Sequence, residues 1–378
     1  MSSNVHALTF ILFYILICGN LEVLLRRKIL LGNVSFIRVQ KYTNETLPSL
    51  RNKSEYSLGL DILMVADYST FQGFIDISNG DVNVAEVYTH DYLRALFEQV
   101  RNIYNHMEIA EQTIRLNLVD AFIALRYDLL SPRGDSSTQG LAYVGNICQR
   151  GDSSSVVEDI GAAATAIVAA HELGHSLGAF HDGNPESEEC SSSENFLMAA
   201  TVSGTENFEL FAHSRMMSQC SVRSIESKLK SPLTSCIRKV RTLDRKVGKE
   251  TSERSEISRT PGEVISLLQQ CQITFGPHYG ICPSKEYFSG FDLCRRVWCK
   301  DRTKRRNEPC ETRTYFPALD GTECGRTKCV ENPNKLSECV DLNVKMCRMY
   351  SKAKLRHYCK AKDFSEICCR SCAQLKDI

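Results

Sequence analysis

The stretch HELGHSLGAFHDG, residues 171 to 183, constrains the chain more than any other. It follows IGAAATAIVAA, residues 160 to 170, an Ala-rich apolar run that suits a buried helix. On that helix His171 and His175 lie one turn apart on the same face and can grip one ion, with Glu172 beside them. Gly178 lets the chain turn sharply and returns His181 as a third imidazole. Three histidines make a tetrahedral zinc site that keeps one position open, and an open position implies catalysis. Zinc would bring the pKa of water to about 7 and polarise a carbonyl, while Glu172 takes the proton and passes it to the leaving amine. A bare H-E-x-x-H also arises by chance on surface helices, but the match here extends to H-E-x-x-H-x-x-G-x-x-H. That longer pattern calls for a methionine beneath the metal, and ENFLMAAT supplies Met198, a residue that alone would read as core filling.

Asp182 after the third histidine, GLAYVGNIC upstream and FLMAAT downstream together resemble the reprolysin (adamalysin) branch of the metzincins. The resemblance implies an α/β metzincin-type zinc protease domain followed by small disulfide-rich modules. It implies that Gly140, Leu141, Ala142, Tyr143, Val144 and Gly145 form an edge strand above the zinc, to which a peptide substrate adds antiparallel. A plain edge strand is the other reading of that segment. Pairing of Cys148 with Cys236 and of Cys190 with Cys220 is likewise implied by the family, since four cysteines alone allow three connectivities. So is a structural calcium ion with Asp61 as an acidic ligand, or Asp61 is simply paired or solvated.

The 378 residues suit two or three domains. The net charge of +1 hides an asymmetry, for residues 241 to 378 carry 27 basic and 18 acidic side chains while the remainder is acidic. Eighteen cysteines, crowded into the basic half, point to secretion. The apolar run ALTFILFYILIC, residues 7 to 18, reads as the core of a signal peptide spanning 1–19, with a signal anchor as the second reading because the run is preceded by no Lys or Arg. Sequons at Asn33, Asn44 and Asn52 make 20–54 a short glycosylated segment without a full pro-domain or latency cysteine.

Residues 55–240 read as the protease domain. LDILMVADY (60–68) is a strand, Leu93, Leu96, Phe97, Val100, Ile103, Tyr104 and Met107 mark a helix, and IRLNLVDAFIAL (114–125) opens as a strand. Only 14 residues then precede Gly140, where the family places a further helix and strand, so the sheet is expected to lack one of each. A charged linker is expected over 241–262. QCQITFGP, RRVWC and ALDGTECG in 263–338 resemble the disintegrin-like, cysteine-rich module of the thrombospondin-motif branch of the reprolysins and of tick salivary metalloproteases. The tail, 339–378, holds Cys339, Cys347, Cys359, Cys368, Cys369 and Cys372 and resembles the six-cysteine PLAC module, with an ShK-type fold as the weaker match. Removing Cys18 with the leader leaves 17 cysteines, an odd number.

Two RGD tripeptides, Arg133–Asp135 and Arg150–Asp152, lie outside the disintegrin-like module, and integrin binding is not expected from them. Lys300, Arg302, Lys304, Arg305 and Arg306 lie between Cys299 and Cys310, and suit either a solvated face or a heparan-like polyanion. No nucleic-acid partner is expected. The reading is therefore a secreted zinc endopeptidase acting on extracellular-matrix or plasma proteins; the alternative is a secreted binding protein, a haemostasis or adhesion antagonist, that keeps the zinc motif without turnover.

Overall fold

The computed structural model describes residues 10–16, 56–109, 112–123, 139–149, 152–201, 207–240, 259–283, 294–305, 307–313, 316–324, 327–329, 347, 352–359 and 371–372. Asn33, Asn44, Asn52, the Arg133–Asp135 tripeptide, Arg150, Cys339, Cys368 and Cys369 lie outside them. No described helix is long and apolar enough to cross a membrane.

The main sheet is built from β1 (Phe10–Leu16), β2 (Tyr56–Ala66), β3 (Arg115–Ile123), β4 (Gly140–Ala142) and β5 (Ser154–Glu158), in the order β3-β2-β1-β5-β4, with β6 (Arg238–Val240) on the start of β2. Strand β2 is almost continuously apolar because both its faces are covered; Leu60, Ile62, Met64 and Ala66 are buried, and so are Leu63 and Val65. Its parallel pairing with β3, from Gly59↔Arg115 to Ala66↔Ile123, requires a crossover. Helices α1 (Tyr68–Ile77) and α2 (Val82–Asn105) make it, each started by an aspartate: Asp67 accepts from Thr70 N at 2.9 Å, and Asp81 accepts from Asn83 N at 3.0 Å. The stripe Leu93, Leu96, Phe97, Val100, Ile103 and Tyr104 is buried, and lays α2 along the helix α3 (Ala162–Leu177), where Tyr104 Oη donates to Ala170 O at 3.0 Å.

The middle of the sheet departs from expectation. Phe10–Leu16, the run read as a leader, pairs antiparallel with β2 from Ile11↔Ala66 to Leu16↔Asp61 and with β5 from Phe10↔Glu158 to Tyr14↔Ser154. This apolar run thus fills the position between β2 and β5. The physical reason is that an open position between β2 and β5 would leave two rows of backbone donors and acceptors without partners, and an uninterrupted apolar run suits a strand covered on both faces. A chain starting at residue 20 is expected to unfold at lower urea concentration than one that keeps residues 10–16; equal midpoints would mean that β2 and β5 close without it.

Disulfides hold both the end of this domain and the module beyond β6. Before β6, short helices α4 (Phe208–His213) and α5 (Gln219–Leu229) complete this first domain, and Cys148–Cys236 and Cys190–Cys220 are disulfides. The first closes a loop of 88 residues, worth about 4 to 5 kcal/mol on the chain-entropy account. The next module contains α6 (Pro261–Val264), α7 (Leu267–Phe275) and the hairpin of β7 (Tyr279–Ile281) with β8 (Cys299–Asp301). Cys271–Cys299, Cys282–Cys310 and Cys294–Cys329 bind it around a small core of Val297, Phe316, Ala318 and Leu319. The linker expected to reach 262 ends earlier, because Pro261 and Gly262 are buried here and Gly262 N donates to Asp320 O at 2.8 Å. In the tail, Cys359 and Cys372 are bonded beside a helix over Lys352–Tyr358.

Candidate metal centre

Helix α3 carries His171, Glu172 and His175, and fifteen of its sixteen residues are buried. It stops at Gly178, which takes the left-handed conformation at φ 114° that glycine adopts without strain, and whose N–H returns to His175 O at 2.8 Å. The chain then folds back, so His175 Nδ1 donates to Ala179 O at 2.8 Å and His181 faces both helix histidines. His181 Nε2 lies 3.0 Å from His171 Nε2 and 3.0 Å from His175 Nε2.

This arrangement suits a divalent cation. His171 Nδ1 donates to Leu197 O at 2.6 Å and His175 Nδ1 to Ala179 O, which leaves both Nε2 lone pairs unprotonated and aimed at one point. These two lone pairs point at His181 Nε2, and three imidazoles so placed are a ligand set that zinc accepts in catalytic sites. Burial, followed by the neighbouring His175, pushes the His171 imidazolium down to about 3; burial also lowers His175 and His181. All three rings are therefore held neutral, the form that binds a metal. Among the described residues this trio is the one cluster of three metal-ligating side chains.

Glu172 is buried, and burial pushes its carboxyl up to about 8, near the range in which an acid or base works at neutral pH. It reaches across to the first residue of β4: a Cβ at Gly140 would lie 2.7 Å from Glu172 Cγ, so a side chain there would push the Glu172 carboxyl aside. Strand β4 is shorter than the expected edge strand. Gly140, Leu141 and Ala142 pair with Val157, Val156 and Ser155, after which the chain leaves the sheet. The cause is competition from the helix end, for Gly145 N donates to His175 O at 2.8 Å and Ile147 N to Ser176 O at 3.1 Å. Leu141, Tyr143 and Val144 are nevertheless exposed along that rim.

Met198 is fully buried, and its Sδ would lie 2.6 Å from a Cβ at Gly174, between the two helix ligands. Asp182 is buried; it accepts from Ser218 Oγ at 2.6 Å, and its N–H donates to Met198 O at 2.9 Å, which ties the third ligand's neighbour to the methionine. Leu197, Met217 and Ser218 escape sequence reasoning. Met217 packs on Gly174 beside Met198, and its signal, a second apolar residue in RMMSQC, is no different from core filling.

Two other expectations look different here. Asp61 accepts from Asn117 Nδ2 at 3.1 Å across β2 and β3, and among the described residues no cluster of three metal-ligating groups includes it. In the basic run, Lys300 is buried and donates to Arg305 O at 3.0 Å and Glu308 O at 2.6 Å, while Lys304 pairs with Glu311 at 2.5 Å. Arg302 and Arg305 stay exposed.

Residues 129–212 match the family model for metallo-peptidase family M12, and residues 261–333 match that for the ADAMTS cysteine-rich domain 2. The chain is 30% identical over 205 residues to the human protein "A disintegrin and metalloproteinase with thrombospondin motifs 20", covering 54% of this chain and 10% of that relative. It is 34% identical over 208 residues to mouse "A disintegrin and metalloproteinase with thrombospondin motifs 15", covering 52% and 19%, and 32% identical over 213 residues to rat "A disintegrin and metalloproteinase with thrombospondin motifs 1", covering 55% and 19%. The matched region thus spans only a tenth to a fifth of these relatives. Residues 129–212 are thus similar to the metallo-peptidase family M12 and residues 261–333 to the ADAMTS cysteine-rich domain 2.

Proposed function

We propose that this union of an M12-type segment with an ADAMTS-type cysteine-rich module is a secreted zinc endopeptidase acting on proteins of the extracellular matrix or plasma. The observation that carries the reading is the convergence of three neutral imidazoles with a buried carboxyl, Glu172, beside the exposed rim that starts at Gly140. His171, His175 and His181 would hold the zinc. Bound there, zinc supplies a Lewis acid that polarises a peptide carbonyl and acidifies water. Glu172 accepts the proton of the attacking water at its carboxylate and delivers it to the leaving nitrogen. Leu141 to Val144 offer the main-chain edge and exposed side chains on which an extended peptide is aligned. The relatives' printed names, metalloproteinases, agree with this reading. Secretion is supported by the disulfides in both modules and by the three sequons. The test is cleavage of casein or gelatin by the purified chain, blocked by a chelator and restored by zinc. A folded, zinc-loaded protein that leaves both substrates intact would overturn it.

The polyanion reading is narrowed by the partners of Lys300 and Lys304. Arg305→Ala and Arg302→Ala are expected to lower the salt at which the chain leaves a heparin column, and Lys304→Ala to change it much less, because Lys304 already faces Glu311 and Asp301. Equal effects of the three would remove Arg302 and Arg305 as the contact.

A further inference from the structure

The cysteine-rich module is joined to the protease domain through groups that would ordinarily avoid burial. Asp320, in the turn after the module's buried core segment of Phe316 to Leu319, is 1% exposed, and it pairs with Arg215 of the preceding domain at 2.5 Å. Its other carboxylate oxygen accepts from Gln99 Nε2 of α2 at 2.6 Å, and its N–H donates to Gln99 Oε1 at 2.9 Å. A buried carboxylate with an arginine and a reciprocal amide is a fixed point, since each group loses its partner if the module moves.

The fixed point continues towards the metal centre. The residue after Arg215 is Met216, whose carbonyl accepts from Leu197 N at 2.8 Å. Leu197 is fully buried, and its own carbonyl accepts from His171 Nδ1 at 2.6 Å. The next residue, Met217, presses on α3 at Gly174, where a Cβ would lie 3.0 Å from its terminal methyl group. One line of contacts therefore runs from Asp320 through Arg215, Met216 and Leu197 to the imidazole of His171. A second contact of the module lies at the far end of the same helix and lacks such a line: Arg313 donates to Ile160 O at 2.8 Å and to Thr274 O at 3.0 Å.

We infer that Asp320 is a positioning residue for the metal centre: by holding Arg215 it sets the carbonyl of Leu197, which orients His171 as a ligand. The cysteine-rich module thus completes the metal site as well as extending the surface. The inference rests on the zinc reading of the three histidines and is independent of turnover. Partners that orient a ligating histidine typically change metal affinity by about 10–100-fold, and Asp320 acts on that partner, Leu197, through Arg215 and Met216.

The experiment compares the full-length chain with Asp320→Asn, Arg215→Lys and Arg313→Ala, each shown folded by circular dichroism. Zinc affinity is read by competition with a chromophoric chelator, and ligand geometry by the visible absorption of the cobalt(II)-loaded protein. Asp320→Asn keeps shape but removes the charge, and Arg215→Lys keeps charge but loses the planar fork. Both are expected to bind zinc about 10-fold more weakly and to shift the cobalt bands, with Arg313→Ala staying within twofold of wild type. Unchanged zinc affinity in Asp320→Asn and Arg215→Lys would overturn the inference, as would an equal loss in Arg313→Ala, which would mark a general effect of undocking the module. If wild type binds zinc and fails to cleave protein, the endopeptidase reading falls while this comparison still decides the role of Asp320.

Discussion

Glu172→Ala is expected to lower turnover by about 10²–10⁴-fold, the usual contribution of a positioned general base, while the chain keeps its zinc. The separation of the two effects follows from geometry. Glu172 shares the helix with His171 and His175, yet the nitrogens that converge belong to the histidines, and the carboxyl lies instead over Gly140 at the start of β4. Removing it leaves the ligand trio and its supporting carbonyls, Leu197 O and Ala179 O, in place. The comparison is made on casein, with zinc content from elemental analysis and folding from circular dichroism on the same preparations. Equal residual activity in wild type and variant would mean that the activity belongs to a contaminant or that the wild-type chain has no turnover.

His171→Ala and His181→Ala are each expected to lose zinc and turnover together. With only three protein ligands, deletion of one leaves two, and the loss of affinity should exceed the roughly 10–100-fold that follows from losing a supporting hydrogen bond. His171→Ala should be the more damaging to the fold, because it also strips Leu197 O, inside a fully buried residue, of its donor. His181 is further from the core and its removal opens the site to water. Elemental analysis of both variants decides the point: zinc content equal to wild type in both would sink the ligand assignment.

The meeting of the three histidines was legible because its determinants are local. A spacing of four from His171 to His175 makes one turn, Gly178 can adopt a positive φ that other residues resist, and the three residues from there to His181 are too few to carry the chain elsewhere. The α2 stripe was legible for the same reason, since Leu93 to Tyr104 repeat at the period of one helix. The edge strand was legible in place and misjudged in extent. Its apolar run continues past Ala142, but Gly145 N and Ile147 N find helix carbonyls instead of strand partners, which nothing within the segment records.

The sequence by itself determined that three imidazoles and one carboxyl would meet at the end of a buried helix, because helix pitch and a glycine turn act over a dozen residues. It also determined that the following module would need disulfides, since its composition offers little core. Tertiary structure decided which residues support that centre. Gln99 and Asp320 are separated by 221 residues, Arg215 and Asp320 by 105, and His171 and Leu197 by 26. It likewise decided that Phe10–Leu16 stands between β2 and β5, a place that apolar composition permits and only the vacancy in the sheet selects. Such contacts follow from burying apolar faces and satisfying backbone groups across the whole chain, and pairing at those separations leaves no local pattern to read.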